Sequence, residues 1–226
     1  MDIVLVAGLW LTAAVWDAVV PVLEAAGHSP IPVMLPGQDD GLATATLADQ
    51  VSAVTGAIDR CSGPVLVVGH SAACSLAWIA ADARPEKVAK MVMVGGFPSG
   101  DGETYADFFP CSNGVMPFPG WQHFEGPDSR DLDEPTKDRM AGSFVSVPEG
   151  VAKGIIHLSD QSRYEIPVVI VCPEFSVEQA REWLAEGVPE LKPVNEISYV
   201  NIDSGHWPML TRPTELGQIL SALTGV

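Results

Sequence analysis

Two kinds of apolar pattern alternate along the chain. Residues 3–7, 31–35, 65–68, 88–94, 166–172 and 197–202 are short, nearly unbroken apolar runs bounded by glycine, proline or polar residues. Runs of that length are too short for helices and predict strands buried in a sheet. Between them the apolar residues recur every three or four positions. Residues 12–26 place Val15, Trp16, Val19, Val22 and Leu23 on one face, with Gly27 to end the helix. Leu47, Val51, Val54 and Ile58 mark a helix within 42–58, and 72–83, 177–186 and 213–223 complete the set. Strand and helix in alternation predict an α/β fold: a mostly parallel sheet of about six strands with helices on both faces.

The alternation stops between residues 97 and 163. Residues 108–124 are dense in Phe, Pro, Gly and Trp, and 125–139 are rich in charge. Two short helices are expected, around 135–144 and 148–158. An insertion between two core strands reads as a small lid over the carboxyl edge of the sheet, inside a single domain spanning 1–226.

Composition narrows the classes. The 226 residues are 47% apolar and 18% charged, which excludes wholesale disorder. No apolar run is long enough to span a bilayer, and Asp2 stands where a secretory leader needs a basic start, so a soluble cytoplasmic protein is expected. Twenty-nine acidic against 12 basic side chains give a net charge of −17, which repels nucleic acid and anionic membrane surfaces alike. Cys61, Cys74, Cys111 and Cys172 lack the spacing of a zinc site and are expected to be buried free thiols. No GxGxxG follows the first strand and no phosphate-binding loop or metal-ligating histidine pair is present, so no cofactor and no metal are expected. The oligomeric state has no signature.

The candidate chemistry lies at two turns. After the run 65–68 the chain reads Gly69, His70, Ser71, Ala72, Ala73 and enters a helix of small residues. Strand, sharp turn with a serine, then helix is the arrangement of a nucleophile elbow, which exposes the hydroxyl beside backbone amides. Alanine replaces the second glycine of the usual pattern. The second turn, Gly205, His206, Trp207, Pro208, Met209, follows the last strand, where a histidine can reach a serine at the end of its own strand. His70 reads as a packing or hydrogen-bonding residue, His28 as exposed, and His123 and His157 as surface residues of the lid.

Together with the Ala7, Gly8, Leu9, Trp10 loop, these motifs resemble the α/β-hydrolase superfamily, in particular its small cofactor-free esterases, plant methylesterases and hydroxynitrile lyases. The resemblance implies Ser71 as nucleophile, His206 as general base and the amides of Leu9 and Ala72 as oxyanion hole. The histidine that usually precedes the glycine of the first loop is Ala7 here. The acid that orients the base is implied after the penultimate strand, where Glu174 stands two positions early; Asp101, with Glu103 close behind, is the alternative, and Asp203 reads as a turn residue. The implied activity is hydrolysis of a small or medium, largely uncharged ester or lactone. Lyase chemistry of the hydroxynitrile type, or ligand binding with vestigial catalysis, are the alternatives.

Overall fold

The computed structural model describes residues 1–225. The chain runs β1 (Asp2–Val6), α1 (Val20–Ala25), β2 (Ser29–Pro32), α2 (Leu47–Arg60), β3 (Val65–His70), α3 (Ala73–Ala83) and β4 (Val88–Val94). An insertion follows with β5 (Val115–Met116), α4 (Glu134–Ser143), β6 (Val147–Pro148) and α5 (Glu149–Ala152). The chain returns through β7 (Val168–Cys172), α6 (Val177–Gly187), β8 (Ile197–Asn201), α7 (Pro208–Thr211) and α8 (Pro213–Ala222).

Six strands form one parallel sheet in the order β2-β1-β3-β4-β7-β8. Side chains alternate between the two faces of a strand, and the core divides accordingly. Val4, Val6, Val67, Met91, Met93 and Ile170 pack under Val54 and Ile58 of α2, Leu76 and Trp78 of α3, and Leu184 of α6. Ile3, Leu5, Val68, Val92, Val94 and Val171 pack on the other face under Trp16, Leu23 of α1, and Leu216 and Leu220 of α8. Both faces are thus buried, as the near-continuous apolar runs require. From β1 the chain steps outward to β2 and then crosses back to β3, so the topology reverses between β1 and β3. Crevices at such a reversal, beyond the carboxyl ends of the strands, are where open α/β sheets bind ligands.

Several expected elements differ in extent. The helix expected over 12–26 is split into a 3-10 turn at Ala13–Trp16 and the short α1, because Pro21 has no N–H to continue the ladder and is accommodated only in a first turn. β2 lies earlier than 31–35: the amides of Ser29 and Val33 donate to the carbonyls of Met1 and Leu5 at 3.0 and 2.9 Å, and the chain then leaves the sheet. Pro30 and Pro32 occupy the intervening positions, on the outer side of this edge strand, where no ladder donor is needed. α2 starts at Leu47 because Thr46 and Asp49 form a capping box. In the insertion, α4 matches its expectation within a residue, while the helix expected over 148–158 is reduced to α5. Cys74 and Cys172 are buried free thiols, whereas Cys61 and Cys111 are only half-buried. His28 is half-buried rather than exposed, its Nε2 2.9 Å from Ser221 Oγ of α8.

The end of the insertion is fixed by a buried ion network. Arg163 donates to Asp82 of α3 at 3.0 Å and to Glu190 at 2.9 Å, and all three side chains are under 10% exposed. Trp78 Nε1 also donates to Glu190, at 3.0 Å. Removing the cation strands two carboxylates in a dry site. Arg163→Met is therefore expected to lower unfolding free energy by about 3–5 kcal/mol, read by urea denaturation. A loss below about 1 kcal/mol would mean that the carboxylates find water instead.

Candidate active site

Ser71 stands at the turn from β3 into α3 with φ of 56°, a left-handed conformation that an L-residue adopts only when its surroundings enforce it. The enforcement is visible. The Ser71 amide donates to the Val94 carbonyl at 2.9 Å, and its carbonyl accepts from Cys74 N at 3.0 Å. A Cβ on Gly96 would lie 2.6 Å from the Ser71 carbonyl oxygen, and one on Gly69 would lie 2.5 Å from that of Ala73. Glycine at both positions is what lets the neighbouring backbones close around the turn.

His206 Nε2 lies 2.9 Å from Ser71 Oγ, and its Nδ1 lies 2.6 Å from Glu174 Oε1. A carboxylate only accepts, so Nδ1 carries the proton and the neutral ring presents Nε2 as acceptor to the serine hydroxyl. Three loops, following β3, β7 and β8, meet in this line. Gly95, at φ 63°, leaves the room: a Cβ there would lie 3.3 Å from His206 Nδ1 and 3.4 Å from Glu174 Oε2. Asp101 is elsewhere, its Oδ1 accepting from the Leu158 amide at 2.9 Å within the insertion. Glu103 accepts from Gly100 N, and Asp203 pairs with Arg130 at 2.7 Å. The structure therefore brings Glu174, and none of the other three, to the imidazole.

Burial by itself lowers the pKa of His206, but the charge of Glu174, its hydrogen bond and the more distant Asp128 carboxylate outweigh it, so the pKa is raised. A proton acceptor must be neutral. Any turnover that uses His206 as base is expected to fall as pH drops through a midpoint above the ordinary histidine value of 6.5, as a kcat/KM–pH profile would show. A midpoint below 6.5 would contradict the ion-pair geometry.

The amides of Leu9 and Ala72 donate to no acceptor among the described residues; Ala72 opens the turn into α3, and the β1 loop comes close to the serine, since a Cβ on Gly8 would lie 3.2 Å from Ser71 Cβ. The N-terminus of α3 adds partial positive charge there. The β1 loop is held by a pair of buried glutamines that the sequence reading missed. Gln38 Nε2 donates to the carbonyls of Gly8 and Leu11 at 2.9 and 2.7 Å, and its Oε1 accepts from Gln50 Nε2 at 3.1 Å. The available signal was Gln50 itself, a polar residue on the otherwise apolar stripe of α2.

Aromatic rings from the insertion cover this loop. Trp10 meets Phe109, Phe118 and Phe124 at centroid distances of 5.5–5.9 Å, and Phe124 and Trp121 meet Trp207 beside His206. The Trp10 indole N–H donates to the Met116 carbonyl of β5 at 3.2 Å. On the Glu174 side, a cavity of about 570 Å³ opens between Phe97, Asp128, Phe175 and Trp183. Among the described residues no group of three or more His, Cys, Asp or Glu side chains is placed to hold a metal ion, and no helix is long and apolar enough to cross a membrane.

A family model described as the alpha/beta hydrolase family matches residues 3–218. A pyrethroid hydrolase of Sphingobium wenxiniae is 29% identical over 142 residues, which is 61% of this chain and 48% of that protein, so the match spans about half the relative's length. Among solved structures, an extracellular alpha/beta-hydrolase from a Paenibacillus species, described as homologous in structure and function to tobacco salicylic acid binding protein 2, has a TM-score of 0.79 at 18% identity and covers 100% of this chain and 99% of its own. A pyrethroid hydrolase from Sphingobium faniae has a TM-score of 0.74 at 20% identity over 99% and 96% of the two chains. Polyneuridine aldehyde esterase has a TM-score of 0.73 at 16% identity over 99% of each chain. At these identities the solved structures are similar in fold.

Proposed function

The chain belongs to the alpha/beta hydrolase family, and from that premise we propose that it cleaves a small or medium, largely uncharged carboxylic ester or lactone through an acyl-enzyme. The observation that carries the reading is the hydrogen-bonded line from Ser71 through His206 to Glu174. Ser71 Oγ attacks the carbonyl carbon while its proton passes to His206 Nε2. Glu174 stabilises the resulting imidazolium, and the Leu9 and Ala72 amides receive the oxyanion. The imidazolium then protonates the departing alkoxide. Water attacks the acyl group by the same route in reverse, regenerating Ser71 and releasing the acid.

The surroundings support an uncharged substrate. Aromatic rings supply the cover, and Glu174 and Asp128 set negative charge beside the base, which disfavours a carboxylate or phosphate there. Similarity to a pyrethroid hydrolase and to an esterase agrees with ester cleavage. The 97–163 insertion acts as the lid in this reading.

Intact mass spectrometry of the protein quenched during turnover of a short aryl ester provides the test. The expected result is a transient gain of one acyl group, mapped to the peptide holding Ser71. Ester cleavage with no acylated species at any quench time would overturn the mechanism, and so would failure to cleave a panel of aryl and alkyl esters. Lyase chemistry with the same pair as acid and base leaves Ser71 unacylated.

A further inference from the structure

We propose that His70, the residue before the nucleophile, is a positioning residue that sets the place of the His206 imidazole against Ser71. The inference rests on the hydrolase reading above and extends it to a group which that mechanism leaves unused.

His70 ends β3 and is 1% exposed. Its Nε2 lies 2.8 Å from the main-chain carbonyl oxygen of His206. A carbonyl only accepts, so Nε2 carries the proton and Nδ1 is bare. Nδ1 has no hydrogen-bond partner and faces the β1 loop, where a Cβ on Gly8 would come within 2.8 Å of it. The two imidazole centroids are 4.9 Å apart. One rigid ring therefore touches all three moving parts of the proposed chemistry: the elbow, the loop that carries the base and the loop that carries the Leu9 amide.

The main chain of His206 is held from two directions. Its amide donates to the Asp128 carbonyl of the insertion at 2.7 Å, and its carbonyl accepts from His70. The first tie comes from the insertion; the second comes from the central sheet. A hydrogen bond to the backbone of the base constrains where the ring begins, whichever way the side chain turns, and leaves Nδ1 and Nε2 of His206 free for Glu174 and Ser71.

The protonation state suits the task. Burial, with a smaller contribution from the neighbouring His206 charge, depresses the His70 pKa to about 3. His70 stays neutral when His206 takes up the serine proton, so the imidazolium meets a dipole and not a second positive charge. A lysine or arginine at this position would donate the same bond but oppose that proton transfer.

The test compares two variants. His70→Leu keeps the bulk and loses the donor, whereas His70→Gln places an amide N–H at a similar reach. Expected for His70→Leu is a fall in kcat on the order of 30- to 100-fold with KM little changed, and an equal fall in the rate at which an aryl phosphonate labels Ser71. His70→Gln is expected to recover most of both rates. A Leu variant with unaltered kcat overturns the proposal. So does a Gln variant that melts like the parent yet reacts as slowly as the Leu variant, since packing alone then explains His70.

Amide hydrogen exchange over residues 203–208 gives a reading that needs no substrate. Exchange there is expected to quicken in His70→Leu and to return toward the parent rate in His70→Gln. Failure of the hydrolase reading would show as an inactive, unlabelled parent protein. Unchanged exchange in the Leu variant would sink the tether independently.

Discussion

Replacing Ser71 by alanine is expected to lower kcat/KM for any ester the protein cleaves by a factor on the order of 10⁴ to 10⁶. The range follows from what remains. Alanine keeps the Cβ and the left-handed turn, so the Leu9 and Ala72 amides, His206 and the aromatic cover stay in place. In the proposed mechanism those parts still bind and polarise a carbonyl, and His206 can still draw a proton from water, which accounts for a residue of catalysis. What vanishes is the covalent route and, with it, the acyl adduct and phosphonate labelling. Initial rates over at least five decades are needed to read it. A variant retaining more than about one part in a hundred of the activity would place the nucleophile elsewhere.

Glu174→Gln is expected to cost on the order of 10³- to 10⁴-fold in kcat, while Asp101→Asn stays within about threefold of the parent. In the proposed role the carboxylate accepts a hydrogen bond from His206 Nδ1–H at 2.6 Å and stabilises positive charge on the ring. A glutamine removes the charge and offers an N–H that can turn the histidine to the wrong tautomer, so that Nε2 faces Ser71 as a donor. Asp101, by contrast, receives one amide N–H of the insertion, a bond that asparagine's oxygen can keep. The acid limb of the pH profile gives an independent reading: without Glu174 it is expected to shift to lower pH, since burial then acts on His206 with less opposition. Equal rates in the two variants would remove Glu174 from the role proposed for it.

The uneven legibility of this chain has physical reasons. Strands β3 and β7 are readable as apolar runs because both faces of the sheet are covered there, so burial is written into every position, whereas the edge strand β8 mixes Ser198 and Asn201 with half-buried apolar residues. The turn at Ser71 is readable because close approach demands Gly69 locally. His206 is readable from its place after the last strand. The split at Pro21 is masked by the helical spacing of Val15, Val19, Val22 and Leu23, which registers burial but not a missing N–H. What spacing does not contain is which of several acids meets the imidazole: Glu174 and Asp101 both follow a core strand, and only the path of each loop separates them. Hydrogen bonds to main chain were least visible. Gln38 and His70 hold carbonyls 27 or more residues away, and a carbonyl leaves no trace in a residue's identity.

The two prolines of β2 leave this rim of the sheet short of hydrogen-bond donors. Another chain joining the sheet at that rim would find carbonyl acceptors facing outward but, at Pro30 and Pro32, no hydrogen to give in return. A half-bonded ladder is a poor template for self-association. Fibril-like growth or strand exchange through the β2 rim is thereby discouraged, and of the two rims of the sheet only that at β8 is free of such proline blocks.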